Sequence, residues 1–158
     1  MLSRLGRWVG QFAVGPMAMA AKGLMSPVAF GVTALVTDEN GRVGLVQHSY
    51  KPGWSLPGGG VARGELPAAA ILRELQEEIG LVQGDPPVLI GLYSRPAGWA
   101  TNVIALYRVT NARAEFRPNL EIREFTFADP AAPPPHTASS TLRRLAELAG
   151  TMPPNPIW

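Results

Sequence analysis

Three glutamates, Glu74, Glu77 and Glu78, fall within five positions, at the i, i+3 and i+4 spacing that puts residues ~5–6 Å apart on one side of a helix. Crowded carboxylates repel one another unless a positive charge sits among them. The chemistry this pattern suits is the binding of a hard divalent cation such as Mg²⁺, which takes oxygen ligands from a few carboxylates, waters and substrate phosphates. Just upstream, Gly58-Gly59-Gly60 would let backbone approach a metal or a phosphate, and free carbonyls there would add oxygen ligands. Glu65 and Arg73 are the segment's other well-placed charges, and an ion pair between them would tie the loop to the helix. The alternative for the same spacing is a solvated acidic face on a surface helix, the ordinary fate of clustered charge. The glycines, Glu65 and Arg73 weigh against it.

The elements that must position these residues follow from periodicity and breakers. Ala29 to Val36 reads as a buried strand, Asp38 to Gly41 as a turn and Val43 to Val46 as a returning strand, together a hairpin. Trp54 to Pro57 leads into the glycines. A helix is expected next, with Pro67 in its first turn and Gly80 at its C-terminal end. On it, Ala68, Leu72, Leu75 and Ile79 are expected to share one face, with the three glutamates roughly opposite. Val88 to Tyr93 and Asn102 to Val109 read as strands separated by a loop holding Pro96 and Gly98, and Ile122 to Phe127 as a further strand. Asp129 to Pro135 is loop. Ala138 to Ala149 is a second helix with Thr137 as its cap.

The residues from Gly59 to Leu81 complete a known pattern. Gly59, Glu65 and Arg73-Glu74-Leu75-Gln76-Glu77-Glu78-Ile79-Gly80-Leu81 resemble the 23-residue box of the Nudix hydrolases at every fixed position. Trp54-Ser55-Leu56-Pro57-Gly58-Gly59 is similar to the aromatic lead-in common in that family, and the likeness covers about Ala29 to Gly150. The resemblance implies an α+β fold, an α/β/α sandwich with a mixed β-sheet between helices. It also implies that Glu74, Glu77, Glu78 and the Gly58 carbonyl bind one or more Mg²⁺ (or Mn²⁺) ions. Glu65 and Arg73 would be structural or orienting, and Glu121 would be the further glutamate that supports the metal or activates water. The general base among Glu74, Glu78 and Glu121 stays open. Leu66 stands where relatives carry Ser or Thr, which weakens the helix cap, and Ala62, Ala68 and Ala69 replace residues that are often acidic.

The activity implied is Mg²⁺-dependent hydrolysis of the diphosphate linkage in a nucleoside diphosphate joined to another moiety, with ADP-ribose or a nucleotide sugar first. The alternatives are a nucleoside triphosphate pyrophosphatase cleansing damaged nucleotides and a non-catalytic nucleotide-sensing domain, against which the intact box speaks. Tyr50, Trp54 and Trp99 are aromatic candidates for stacking on a base, and Gly59 and Gly60 for backbone contact with phosphate. Pro96 is faintly similar to a proline of ADP-ribose-cleaving relatives. Of the two histidines, His48 and His136, His48 ends a strand and is expected to be a hydrogen-bonded structural residue.

The 158 residues suit one domain, with 46% hydrophobic and 16% charged residues. A formal net charge of +2, with no basic run beyond Arg143-Arg144, argues against a nucleic-acid partner. The absence of cysteine excludes disulfides and thiolate chemistry, isopentenyl diphosphate isomerase-type catalysis included, and fits a cytoplasmic setting. The chain divides into 1–26, a Nudix domain over 27–150 and an irregular Pro-rich tail over 151–158. In the first segment, Arg4, Arg7 and Ala18-Met19-Ala20 have the layout of a secretion signal, but Gln11, Gly15 and Pro16 interrupt its apolar part. Leu2, Leu5, Val9 and Phe12 recur at helical spacing. An N-terminal helix or arm is expected, docked on the domain or on a second copy in a homodimer, with membrane-surface contact as its alternative.

Overall fold

The computed structural model describes Met19, residues 23–25 and residues 27–158. Met19 and residues 23–25 are helical, and Met19, Leu24 and Met25 are exposed; the rest of the expected arm lies outside the described residues. Eight strands and two helices follow. They are β1 (Val28–Val36), β2 (Val43–His48), β3 (Trp54–Ser55), α1 (Pro67–Ile79), β4 (Leu81–Gln83), β5 (Val88–Ala97), β6 (Ala100–Val109), β7 (Arg113–Ala114), β8 (Ile122–Ala128) and α2 (Ser139–Leu148). Among these described residues, no helix is long and apolar enough to cross a membrane.

The expected α+β sandwich forms around a mixed sheet of order β1-β6-β5, in which β1 and β6 run parallel and β5 and β6 antiparallel. Alternation along these strands supplies two apolar faces. Val32, Ala34 and Val36 of β1, with Ala105, Tyr107 and Val109 of β6, meet Ile71, Leu75 and Ile79 of α1. The opposite face, Leu35 and Leu106, joins Leu45, Leu56 and Leu145 of α2. Each fully buried side chain of this kind is worth roughly 1.5–3 kcal/mol relative to exposure, so the two layers clamp the sheet from both sides.

The expected β1–β2 hairpin is reduced to its turn. Gly41 N donates to the Asp38 carbonyl at 3.1 Å, and a single bridge links Thr37 to Val43. Beyond it β2 leaves to pair with β3 and β8 in a second, antiparallel sheet of order β3-β2-β8. The reason is competition for β1's free edge. Val32 N donates to Gly59 O, Ala34 N to Pro57 O and Val61 N to Phe30 O, at 2.9, 2.9 and 3.0 Å, so the glycine loop takes the place a hairpin partner would occupy.

Three further expectations are corrected. The helix face packed inward is Ala70, Ile71, Leu75 and Ile79, with Glu74 and Glu78 buried beside them, whereas Ala68 and Leu72 are exposed. Pro96 is not in a loop but in β5, paired with Thr101, so that Gly98-Trp99 alone turn the chain into β6. Thr137 does not cap α2. Its hydroxyl donates to the Pro134 carbonyl at 2.7 Å, and Ala138 holds the cap position without a side-chain bond.

Candidate active site

The site is built where α1 faces the loop that β1 holds. Pro67 starts α1, and Gly80, at φ 65°, ends it in the left-handed conformation, its N–H returned to Gln76 O. Leu66 occupies the N-cap with no side-chain bond, as its apolar side chain requires. The helix is thereby fixed at both ends with Glu74 and Glu78 turned toward the loop.

Gly58 and Gly59 permit that approach. A Cβ on Gly58 would lie 2.2 Å from Val32 O, and φ of 144° is a conformation open to glycine. A Cβ on Gly59 would lie 2.5 Å from the Glu74 carboxylate. Gly58 N donates to Glu78 Oε2 at 2.7 Å. The carbonyls of Pro57, Gly59 and Gly60 accept hydrogen bonds from Ala34 N, Val32 N and the Arg73 guanidinium, while that of Gly58 has no partner among the described residues.

Arg73 organises the outer acids. Its guanidinium bonds Glu65 Oε1 at 2.9 Å and Oε2 at 3.0 Å, Glu74 Oε1 at 2.8 Å, and Glu77 Oε2 at 3.2 Å. The expected Glu65–Arg73 pair is therefore present, as a two-pronged fork. It holds the Glu65 carboxyl down at about 2 and raises the arginine further above its ordinary range. Glu78 goes the other way. Burial pushes its carboxyl up to about 8, against the Gly58 N–H that opposes the shift, and the charges of Glu74, Glu121 and Glu77 add to it.

The three helix carboxylates do not converge on one spot as expected. Arg73 draws Glu74 and Glu77 to its own side, Glu77 with 60% of its side chain exposed, while Glu78 turns inward to Gly58. Among the described residues, no group of three His, Cys, Asp or Glu side chains is placed to hold a metal ion. Glu121 is exposed, yet its charge reaches Glu78, His48 and Tyr50.

A cavity of about 330 Å³ opens beside the glycines, lined by Gly58, Gly59, Gly60, Thr33, His48 and Tyr50 among others. Trp54 is not among its walls; it packs against the leucine cluster. Trp99 stands 83% exposed in the β5–β6 turn, outside the cavity. The His48 Nδ1 is buried without a hydrogen-bond partner among the described residues, contrary to the bonded role expected, and burial and Lys51 lower its pKa. His136 serves backbone geometry, its carbonyl accepting from Trp54 N. Sequence reasoning missed Lys51, Arg95, Asn102 and Trp158, all of which line the cavity. The signal for two of them was alternation. Arg95 lies two residues from half-buried Tyr93, and Asn102 two from buried Ile104, so each shares a face with the core beneath it.

Comparisons with known proteins agree with this architecture. The chain is 35% identical over 101 residues to an ADP-ribose pyrophosphatase of Mycobacterium tuberculosis, covering 60% of this chain and 48% of that protein. It is 34% identical over 70 residues to an RNA pyrophosphohydrolase of Hydrogenovibrio crunogenus, covering 44% of this chain and 40% of that one. The chain thus spans about half the length, or less, of these curated relatives. A MutT NUDIX hydrolase from Burkholderia pseudomallei superposes with a TM-score of 0.67 at 20% identity, over 78% of this chain and 99% of that structure, and so shares its fold. The family model described as the NUDIX domain matches residues 27–148, and the chain accordingly belongs to the Nudix family.

Proposed function

We propose that the protein hydrolyses the diphosphate linkage of a nucleoside diphosphate joined to a second group, using Mg²⁺ or Mn²⁺, with ADP-ribose or a nucleotide sugar as first candidates. The observation that carries this reading is the seating of two buried carboxylates, Glu74 and Glu78, against glycines that have no Cβ to keep them out. The donor set fits a hard cation: carboxylate oxygens, one unpartnered carbonyl at Gly58, and no sulfur. Buried carboxyl as basic as Glu78 gains from a cation beside it, which restores the charged form.

Glu74, Glu77, Glu78 and the Gly58 carbonyl would hold the ion, Glu77 and Glu74 on relaxing from Arg73. When bound, a divalent cation neutralises charge on the transferring phosphoryl group and lowers the pKa of the attacking water. Glu65 and Arg73 keep the outer acids in register by their fork. Lys51 brings positive charge to the cavity wall for the phosphate oxygens. A carboxylate among Glu74, Glu78 and Glu121 accepts the proton from water. A small-molecule substrate and the absence of cysteine accord with a cytoplasmic enzyme.

The 35% identity to a protein named ADP-ribose pyrophosphatase supports the first substrate. The second reading, pyrophosphate removal from RNA 5′ ends, draws on the relative named RNA pyrophosphohydrolase. The test is turnover of ADP-ribose, nucleotide sugars, nucleoside triphosphates and 5′-triphosphorylated RNA with Mg²⁺, by wild type and by Glu78→Gln. Cleavage of one class by wild type, lost in the folded variant, is expected. Undiminished turnover by Glu78→Gln would remove the box from the active site, and inert wild type would favour a sensing domain.

A further inference from the structure

The cavity runs across the whole mixed sheet, and its two ends differ in chemistry. The glycine loop lies on the free edge of β1, and the order continues β1-β6-β5. On the far edge of β5 the chain's last residues are tied on by a single bridge. Ser94 N donates to Pro156 O at 2.9 Å and Trp158 N to Ser94 O at 3.0 Å, with Ile157 bridged in parallel to Ser94. Four inter-strand steps of ~4.8 Å separate the loop from this segment, roughly 19 Å. Gly58, Gly59 and Gly60 line the cavity at the first edge, and Arg95, Asn102 and Trp158 at the other.

Trp158 is held there by a buried guanidinium. Arg144 of α2 is 1% exposed; its guanidinium stands 4.0 Å from the Tyr93 ring centre and 5.5 Å from that of Trp158. It donates to the carbonyls of Asn155 and Ile157 at 3.2 and 3.4 Å and pairs with Glu147 at 2.7 Å. Glu147 in turn accepts from Asn155 N at 2.9 Å. Trp158 and Tyr93 meet edge to face, their centres 5.5 Å apart. Tyr93 and Trp158 belong to the same packed layer as Leu35, Leu56 and Leu106, so the indole is fixed before any ligand arrives. Lining the same cavity and paired across β5 and β6, Asn102 and Arg95 have no side-chain hydrogen-bond partners among the described residues. A preorganised aromatic ring next to an uncommitted amide matches a nucleobase, which offers a π face and a donor–acceptor edge together.

We propose that Trp158 and Asn102 form the nucleobase subsite of this cavity, the indole stacking on the base while the phosphates reach Gly58–Gly60. This rests on the diphosphate-hydrolase reading for the phosphate end alone. The spacing also explains why the substrate must be two-ended, with a charged group at one sheet edge and a flat one at the other.

The experiment is calorimetric titration of the full chain with Mg²⁺, using ADP and, as a base-free probe, inorganic pyrophosphate. Trp158→Ala should weaken ADP about 5- to 150-fold, the stacking contribution of one base, and leave pyrophosphate unchanged. Trp158→Phe, which keeps an aromatic face, should recover most of the loss. Asn102→Ala gives a second reading should Trp158→Ala melt below the assay temperature, with ADP weakened and pyrophosphate again unaffected. Equal weakening of both probes would reduce the segment to a structural clasp, and unchanged ADP affinity in the folded variants would likewise overturn the subsite. A wild-type chain that binds ADP through Trp158 yet hydrolyses nothing would sink the hydrolase reading and leave the subsite standing. Turnover unaffected by Trp158→Ala would do the reverse.

Discussion

Replacing each of two adjacent glycines by alanine separates the site's architecture from its chemistry. At Gly58, φ of 144° is a region closed to side chains, at a cost of ~1–3 kcal/mol, and the new Cβ would sit 2.2 Å from the Val32 carbonyl and 2.6 Å from Thr33 Cα. Those atoms are backbone of β1, held in register by β6 along its length, and cannot step aside, which adds overpacking of ~1–3 kcal/mol. The total for Gly58→Ala is ~2–6 kcal/mol. At ~2–4 °C per kcal/mol for a chain of this size, its melting temperature falls by about 4–24 °C. Gly59 differs. Its φ lies outside the left-handed region, and the atoms 2.5 Å from the added Cβ are the carboxylate of Glu74, the far end of a flexible side chain. Glu74 can swing away for about 1 kcal/mol or less. The displaced carboxylate is a proposed metal ligand, however, and a 1 Å error at a reacting centre costs on the order of 10²-fold in rate. Thermal melts and urea titrations of both variants, paired with Mg²⁺-dependent hydrolysis, give the comparison. Gly58→Ala should lose stability and activity together; Gly59→Ala should keep its fold and lose only activity. Equal destabilisation, or a fully active Gly59→Ala, would refute the claim that the missing Cβ makes room for Glu74.

Two further outcomes follow from α1 and its ion pair. Glu65 sits at about 2 in the folded chain against an ordinary 4.5, so the stability it contributes is complete above about pH 4.5 and is lost as pH falls toward 2. Urea unfolding between pH 2 and 6 should show Glu65→Gln with a shallower acid decline than wild type; parallel curves would deny the pair any role in stability. Leu66 occupies an N-cap with extended backbone, 73% exposed and without a capping bond. Leu66→Ser should therefore stabilise the protein by about 0.5–1 kcal/mol, visible as a melting rise of ~1–4 °C, and no rise would mean the first turn already finds its partners elsewhere.

The residues that repeat a short-range rule were legible. Pro67 and Gly80 bound α1 as their backbone preferences require, and Glu65 and Arg73 meet because their spacing allows a loop to fold back on a helix. Burial on α1 was misread because polarity was taken for exposure. Glu78 is 4% exposed and tolerated there by the Gly58 N–H, a partner twenty residues away in sequence that no helical periodicity announces. The β1–β2 hairpin failed for a related reason, since a turn specifies reversal but not which backbone wins the open edge. Pro153, Pro154 and Pro156 marked the tail as irregular, as it is apart from the bridge at Ile157, but not where it would be anchored. Its order depends on Arg144, whose ring and carbonyl partners come from β5 and the tail, and no local periodicity encodes that meeting.

The bonds from β1 to the glycine loop also bear on how the molecule breathes. With Val32 and Ala34 donating to the loop on one side and β6 registered along all nine residues on the other, β1 has no bare edge through its middle. The loop therefore belongs to the same cooperative unit as the central sheet. Amide hydrogens at Val32, Ala34 and Val61 are expected to exchange only through openings that approach global unfolding, unlike those of an ordinary surface loop. A cavity walled this way is not gated by motion of its glycine loop, and it loses that wall only when the chain loses its fold.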